Sequence, residues 1–150
     1  MYQNKPIDSW PPFNIIWDER SSHVHHYGDG LSSQSVSNRH PNGLKIGDVN
    51  ISDLDKVTYH MNRQSVSEFW KIGLASKKSE AIEHWVNGGV MTPMMIKPHE
   101  NGLQVCFAGG NHRLAVARAK SEVTIPVLFD ADDERKLLNI LQINNIRLPK

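Results

Sequence analysis

The chain has 150 residues, of which 39% are hydrophobic and 22% charged, with a formal net charge of +1. One domain can bury a real core at that length, and near-neutrality excludes a global field that gathers nucleic acid, so any contact with DNA rests on a local basic patch. A single cysteine, Cys106, excludes an intrachain disulfide; with no apolar run of membrane-spanning length and no signal-like core after Met1, the expectation is a cytoplasmic protein without a membrane partner.

Residues 1–43 are rich in Ser, His, Pro and Gly and read as a loop-rich N-terminal arm. Its aromatic island, Trp10 to Trp17, is expected to pack on the domain as a short strand, and the Ser-rich run from Leu31 to Asn38 to be a mobile loop. His23-Val24-His25-His26 places His23 and His25 on one side of an extended segment, within sequence reach of Asp29 and His40. The absence of cysteines and of an evident third ligand argues against zinc. Glu19, in Trp17-Asp18-Glu19-Arg20, reads as a surface salt-bridge partner.

Residues 44–150 read as one domain. Ser65 to Leu74 places Phe69, Ile72 and Gly73 on one helical face, with Glu68 as capping-box partner of Ser65. A second helix, Ser79 to Asn87, carries Ile82, Trp85 and Val86 and stops at Gly88. Thr92–Lys97 and Leu103–Phe107 are strand-like runs joined by an Asn101-Gly102 turn. Cys106 alternates into the second run as a small buried hydrophobe. After Gly109-Gly110, small residues Ala115, Ala117 and Ala119 with Leu114 give a slim helix that can lie close to a sheet. Thr124–Phe129 reads as a strand, and Asp130 caps a last helix reaching about Asn144, with Leu137, Leu138, Ile140 and Leu141 inward. Asp132, Asp133 and Glu134 in its first turn suit the helix dipole better than a metal.

The chemistry concentrates at Phe107-Ala108-Gly109-Gly110-Asn111-His112-Arg113. A strand followed by two glycines and a helix start leaves N–H donors without intrahelical partners, at the positive end of the dipole. Gly109 and Gly110 admit close approach of a ligand. His112 adds a titratable donor, disfavoured from protonating there, and Arg113 a permanent cation suited to bidentate oxyanion contact. The alternative is a packing turn in which Arg113 pairs with a surface carboxylate.

With its flanks, Asn87-Gly88-Gly89, Thr92-Pro93-Met94 and Thr124-Ile125-Pro126-Val127, this turn resembles the ParB/sulfiredoxin family over roughly residues 44–147. Val49 to Leu54 looks like that family's first strand, Asn62-Arg63 like its N-P-x-R segment without the proline, and Asn144-Asn145-Ile146-Arg147 like its E-N-x-x-R end. The resemblance implies an α+β fold with a small mixed sheet flanked by helices. It implies nucleotide binding, ATP or CTP, through Gly109, Gly110, Asn111, His112, Arg113, Arg63, Asn145 and Arg147. Arg113 would stabilise phosphoryl charge and His112 act beside it, as in a nucleotide-dependent hydrolase or nuclease of DNA metabolism.

Departures are informative. Asn111 stands where sulfiredoxins carry their catalytic cysteine, which excludes sulfinic acid reduction. Asn144 stands where CTP-hydrolysing members carry the glutamate that helps hold Mg²⁺; a neutral oxygen binds that ion less well, which argues against magnesium-dependent hydrolysis. The G-N-H-R form is similar to small stand-alone members and free-serine kinases, in which an early glutamate, here Glu19, is the base. A non-catalytic regulatory or inhibitory module, acting on a protein partner or as a homodimer, is the third reading.

Overall fold

The computed structural model describes residues 1–59 and 65–150. Five strands build one sheet: β1 (Leu44–Asn50), β2 (Met94–Pro98), β3 (Val105–Gly109), β4 (Thr124–Asp130) and β5 (Asn144–Arg147). Their spatial order is β3-β2-β4-β1-β5, with β2 parallel to β4 and the other pairs antiparallel. The helices are α1 (Ser33–Arg39), α2 (Ile51–Val57), α3 (Ala75–Val86), α4 (Asn111–Ala119) and α5 (Glu134–Leu138). The fold is therefore α+β, a five-stranded mixed sheet flanked by helices. Among the described residues, no helix is long and apolar enough to cross a membrane.

Strand alternation sends neighbouring side chains to opposite faces, and both faces of this sheet are covered. Ile125, Val127 and Phe129 of β4 join Met94, Ile96 and Val49 on one face, packed by Leu54 of α2, Leu114 and Ala117 of α4, and Leu137 of α5. Leu128, Met95 and Ile46 point the other way and pack on Tyr27 and Val36 of the arm. A strand buried on both faces reads as a continuous apolar run, which is why Ile125 to Phe129 shows almost no polar alternation. A third cluster joins α3 (Ala81, Ile82, Trp85) to α4 (Ala115, Val116) under Trp10 and Phe69. The small residues of α4 thus serve two neighbours, the sheet and α3.

The hairpin of β2 and β3 forms as its turn chemistry requires: the Asn101 side-chain oxygen accepts from the Leu103 and Gln104 amides at 2.8 and 3.1 Å. Helix α3 ends before Gly88, whose φ is +81°. Five expectations are corrected. Val49 to Leu54 is not one strand: β1 ends at Asn50, whose side chain accepts from the Asp53 amide and caps α2. The Ser-rich run is not a loop but α1, because Ser32 and Ser35 form a reciprocal capping box. The aromatic island makes no strand; only Trp17 bridges to Met91, and Trp10 is buried among Phe13, Phe69 and Trp70. Ser65 to Leu74 yields only a 3₁₀ turn, Val66–Glu68, in which Ser65 Oγ donates to Glu68 at 2.7 Å instead of capping a backbone amide. The last helix is a 3₁₀ turn, Ala131–Asp133, continuing into α5, and it stops at Leu138, well short of Asn144. Leu141 and Ile143 go to the core beside Leu137, and the chain leaves the helix to run back along β1 as β5.

Gly47 fixes how closely that return can pack. A Cβ on it would collide with the Ile143 side chain and lie 3.4 Å from the Phe129 ring. Gly47→Ala is expected to destabilise the protein by about 1–3 kcal/mol through overpacking, read as a lower urea midpoint with an unchanged slope.

Candidate functional site

The strand-turn-helix read from the sequence is built as expected. β3 ends at Gly109, Gly110 takes φ +90°, and α4 starts at Asn111 with no side chain capping it. Gly110 is required twice over, for its left-handed backbone and because a Cβ would lie 2.6 Å from Met94 Cβ and 2.7 Å from Met94 Cα. At Gly109 a Cβ would strike the Tyr27 carbonyl. The amides of Asn111, His112 and Arg113 are therefore the uncapped first donors of the helix, and Gly109 to Arg113 line a cavity of about 660 Å³.

The arm and α3 supply the other walls, among them Asp29, Arg39, Lys77 and Glu80. Lys77 is paired with Asp29. Arg113 donates from Nη2 to the His26 carbonyl at 2.7 Å and from Nη1 to the Tyr27 carbonyl at 3.3 Å, and among the described residues it meets no carboxylate. Burial pushes its pKa below the ordinary value, yet a guanidinium stays protonated and keeps further N–H donors. A half-buried cation answered only by carbonyl dipoles favours an anion in the cavity. The packing alternative, Arg113 on a surface carboxylate, is not the arrangement found.

His112 is held below its ordinary pKa first by burial and then by Lys77, Lys78 and Arg113. It is neutral at pH 7, donating from one ring nitrogen and accepting at the other. The buried side-chain oxygen of Asn111 has no hydrogen-bond partner among the described residues, an omission that costs about 1–3 kcal/mol unless a ligand donor meets it.

Lys78 supports this wall and was not singled out from sequence. It is fully buried, donates to the Phe69 and Ile72 carbonyls, and lies 4.8 Å from the Phe69 ring centre. The signal was present, since Lys78 precedes Ile82 and Trp85 on the buried stripe of α3. The loop it secures brings Gly73 against His112.

Arg113 also lines a second cavity of about 390 Å³ with Asp18, His23, His26, His84 and Thr92. The histidine segment is a 3₁₀ helix, Ser21–Tyr27, and not the extended run expected. Among the described residues no three His, Cys, Asp or Glu side chains converge as a metal site. Asp18, also unmarked by the sequence, is buried; its carboxylate accepts from Arg20 Nε and Nη2 at 2.9 Å each and from His23 Nδ1 at 2.7 Å. The Arg20 contacts hold its carboxyl well below the usual carboxylate range.

The C-terminal candidates lie elsewhere. Asn144, Asn145 and Arg147 stand on the edge strand β5 and line neither cavity. Arg147 forms a bidentate pair with Glu19 at 2.8 Å and reaches Asp48 at 3.1 Å, and Asn145 donates to Asp48 at 3.1 Å. Both Glu19, the early glutamate, and Arg147 are thus spent on each other. Asn144 takes a hydrogen bond from Gln142 and is exposed. The capping acids are likewise engaged, Asp130 with His40 and the Asp132 amide, Asp132 with Asn42. Arg63 lies outside the described residues.

The fold and turn define an α+β protein with an uncapped helix start beside a cavity. No family model matches the chain, and no curated protein matches it. Among solved structures the fold is similar to the crystal structure of the Oncogenic Suppression Activity Protein, a plasmid fertility inhibition factor, in a gold(I) cyanide derivative. The match has a TM-score of 0.56 at 15% identity, over 71% of this chain and 61% of that one. The matched region thus spans less than two thirds of that protein, and the likeness is one of fold.

Two outcomes follow from the site. Folded His112 binds its proton below 6.5, the ordinary value, so as pH falls through that value the unfolded chain takes up more protons and stability is lost. Melting temperature should drop between about pH 7 and pH 5, and His112→Gln should flatten that drop. Gly110→Ala should cost about 1–3 kcal/mol in urea unfolding, from backbone strain at a positive φ.

Proposed function

We propose that the protein binds a nucleotide by its phosphates at the start of α4 and acts on the bound phosphoryl group as a hydrolase of the ParB/sulfiredoxin type, in DNA metabolism. The observation that carries this reading is Arg113: a half-buried guanidinium without a carboxylate partner among the described residues, beside three uncapped helix amides, in one cavity. Phosphate oxygens satisfy both the amides and the free guanidinium edge. Arg39 adds a second cation to the cavity wall, where Lys77 is paired with Asp29, and it is the local charge along which a DNA phosphate backbone can approach. The ParB/sulfiredoxin reading is supported by the sequence resemblance around the two-glycine turn into a helix.

ATP is the first ligand to test, with CTP beside it. Mg²⁺ is not assigned a holder: Asn144, the position the resemblance offers, lines neither cavity. A second reading, a binding module that inhibits a partner instead of turning a nucleotide over, is favoured by the name of the fold neighbour, a plasmid fertility inhibition factor.

Thermal shift with ATP, CTP and inorganic phosphate tests the binding claim, since a ligand at a hundred times its Kd adds about 2.7 kcal/mol of stability. The native protein should be stabilised by ATP or CTP, and Arg113→Ala should weaken that binding about 10–100-fold in calorimetry through loss of a charge-assisted contact. Absence of any shift in the native protein, or native affinity in Arg113→Ala, contradicts the reading. Phosphate release from the bound nucleotide separates the hydrolase from the inhibitory module.

A further inference from the structure

The second cavity shares Arg113 with the first, and it carries a pair of groups, Asp18 and His23, from outside the Gly109 to Arg113 turn. Asp18 Oδ2 lies 2.7 Å from His23 Nδ1, and Arg20 Nη2 lies 2.9 Å from the same nitrogen; a carboxylate only accepts, and the tautomer that answers the shorter contact carries the ring proton on Nδ1. That leaves Nε2 as the basic nitrogen, and among the described residues it has no hydrogen-bond partner. Asp18 is itself fixed, its side chain 6% exposed and clamped by Arg20. The backbone is fixed too: Thr92 Oγ1 donates to the His23 carbonyl at 3.0 Å, and the same short helix gives its His26 and Tyr27 carbonyls to Arg113. His23 and Arg113 therefore belong to one rigid corner, with His26 and His84 on its walls.

We propose that Asp18 and His23 are the general base of the protein, activating water for attack on the terminal phosphoryl group of a nucleoside triphosphate held by Arg113 and the α4 amides. This rests on the reading that phosphate binds at Arg113. The water oxygen bonds to phosphorus as His23 Nε2 takes its proton. The bridging P–O bond breaks, and its electron pair stays on the departing diphosphate oxygen, which leaves as an anion and needs no proton donor. The imidazolium is stabilised by Asp18 and returns its proton to solvent. His23 is the catalytic residue, and Asp18 is a positioning residue that sets the tautomer and ring orientation.

The test uses ATP, with phosphate release for turnover and calorimetry for affinity. His23→Asn places an amide nitrogen where Nδ1 stands, so Asp18 stays satisfied while Nε2 is removed; His23→Gln removes the base from the other direction and serves should the first melt early. Either variant should bind ATP like the native protein and lose about 100-fold or more in kcat. Asp18→Asn should lower kcat while KM holds, a split that a purely structural tie would not produce. Native turnover in both His23 variants overturns the proposal and leaves phosphate binding at Arg113 intact. A native protein that binds ATP and releases no phosphate also overturns it. One that binds no ATP removes the reading beneath it.

Discussion

The arrangement of this molecule depends on one side chain, Arg113, reaching from the first turn of α4 to the carbonyls of His26 and Tyr27. The contact joins the strand-turn-helix of the domain to the arm that covers the opposite face of the sheet. Tyr27 is 3% exposed and packs with Met95 and Leu128, and a Cβ at Gly109 would strike its carbonyl. The arm can therefore sit where it does only because the turn is glycine, and Arg113 is held half-buried only because the arm is there. A cation so placed has lost part of its hydration and gained dipoles in place of a counter-charge. That imbalance is what a phosphate group would correct.

Much of the sheet and the strand-turn-helix at Gly109-Gly110 was legible in the sequence, for local reasons. The Asn101-Gly102 hairpin, the stop at Gly88 and the turn at Gly109-Gly110 are each fixed by residues within a few positions of one another. The fold class, a mixed sheet flanked by helices, is the one that the family resemblance implied. What failed depended on distant partners. Ser65 to Leu74 has helical spacing, yet its carbonyls at Phe69 and Ile72 turn toward Lys78 of α3. Asn144 to Arg147 reads as a helix end, but Asp48 of β1 and Glu19 of the arm draw it into an edge strand. Asp18 carried no motif at all, and its weight comes from burial and from Arg20 and His23 folding back on it.

The arm is thus part of the candidate site and not an appendage to it. It gives Asp29 and Arg39 to the larger cavity and Asp18, His23 and His26 to the smaller one, while α4 gives Arg113 to both. On the proposed reading the helix start binds the phosphates and the arm brings the base. The likeness to a plasmid fertility inhibition factor concerns the fold.

The most direct measurement is a titration of ATP into ¹⁵N-labelled protein, followed by amide chemical shifts. Binding at the helix start moves the amides of Asn111, His112 and Arg113 first and farthest, and leaves Asn144 to Arg147 on β5 in place. Shifts centred on β5, or none at Asn111 to Arg113 with saturating ATP, would contradict the account.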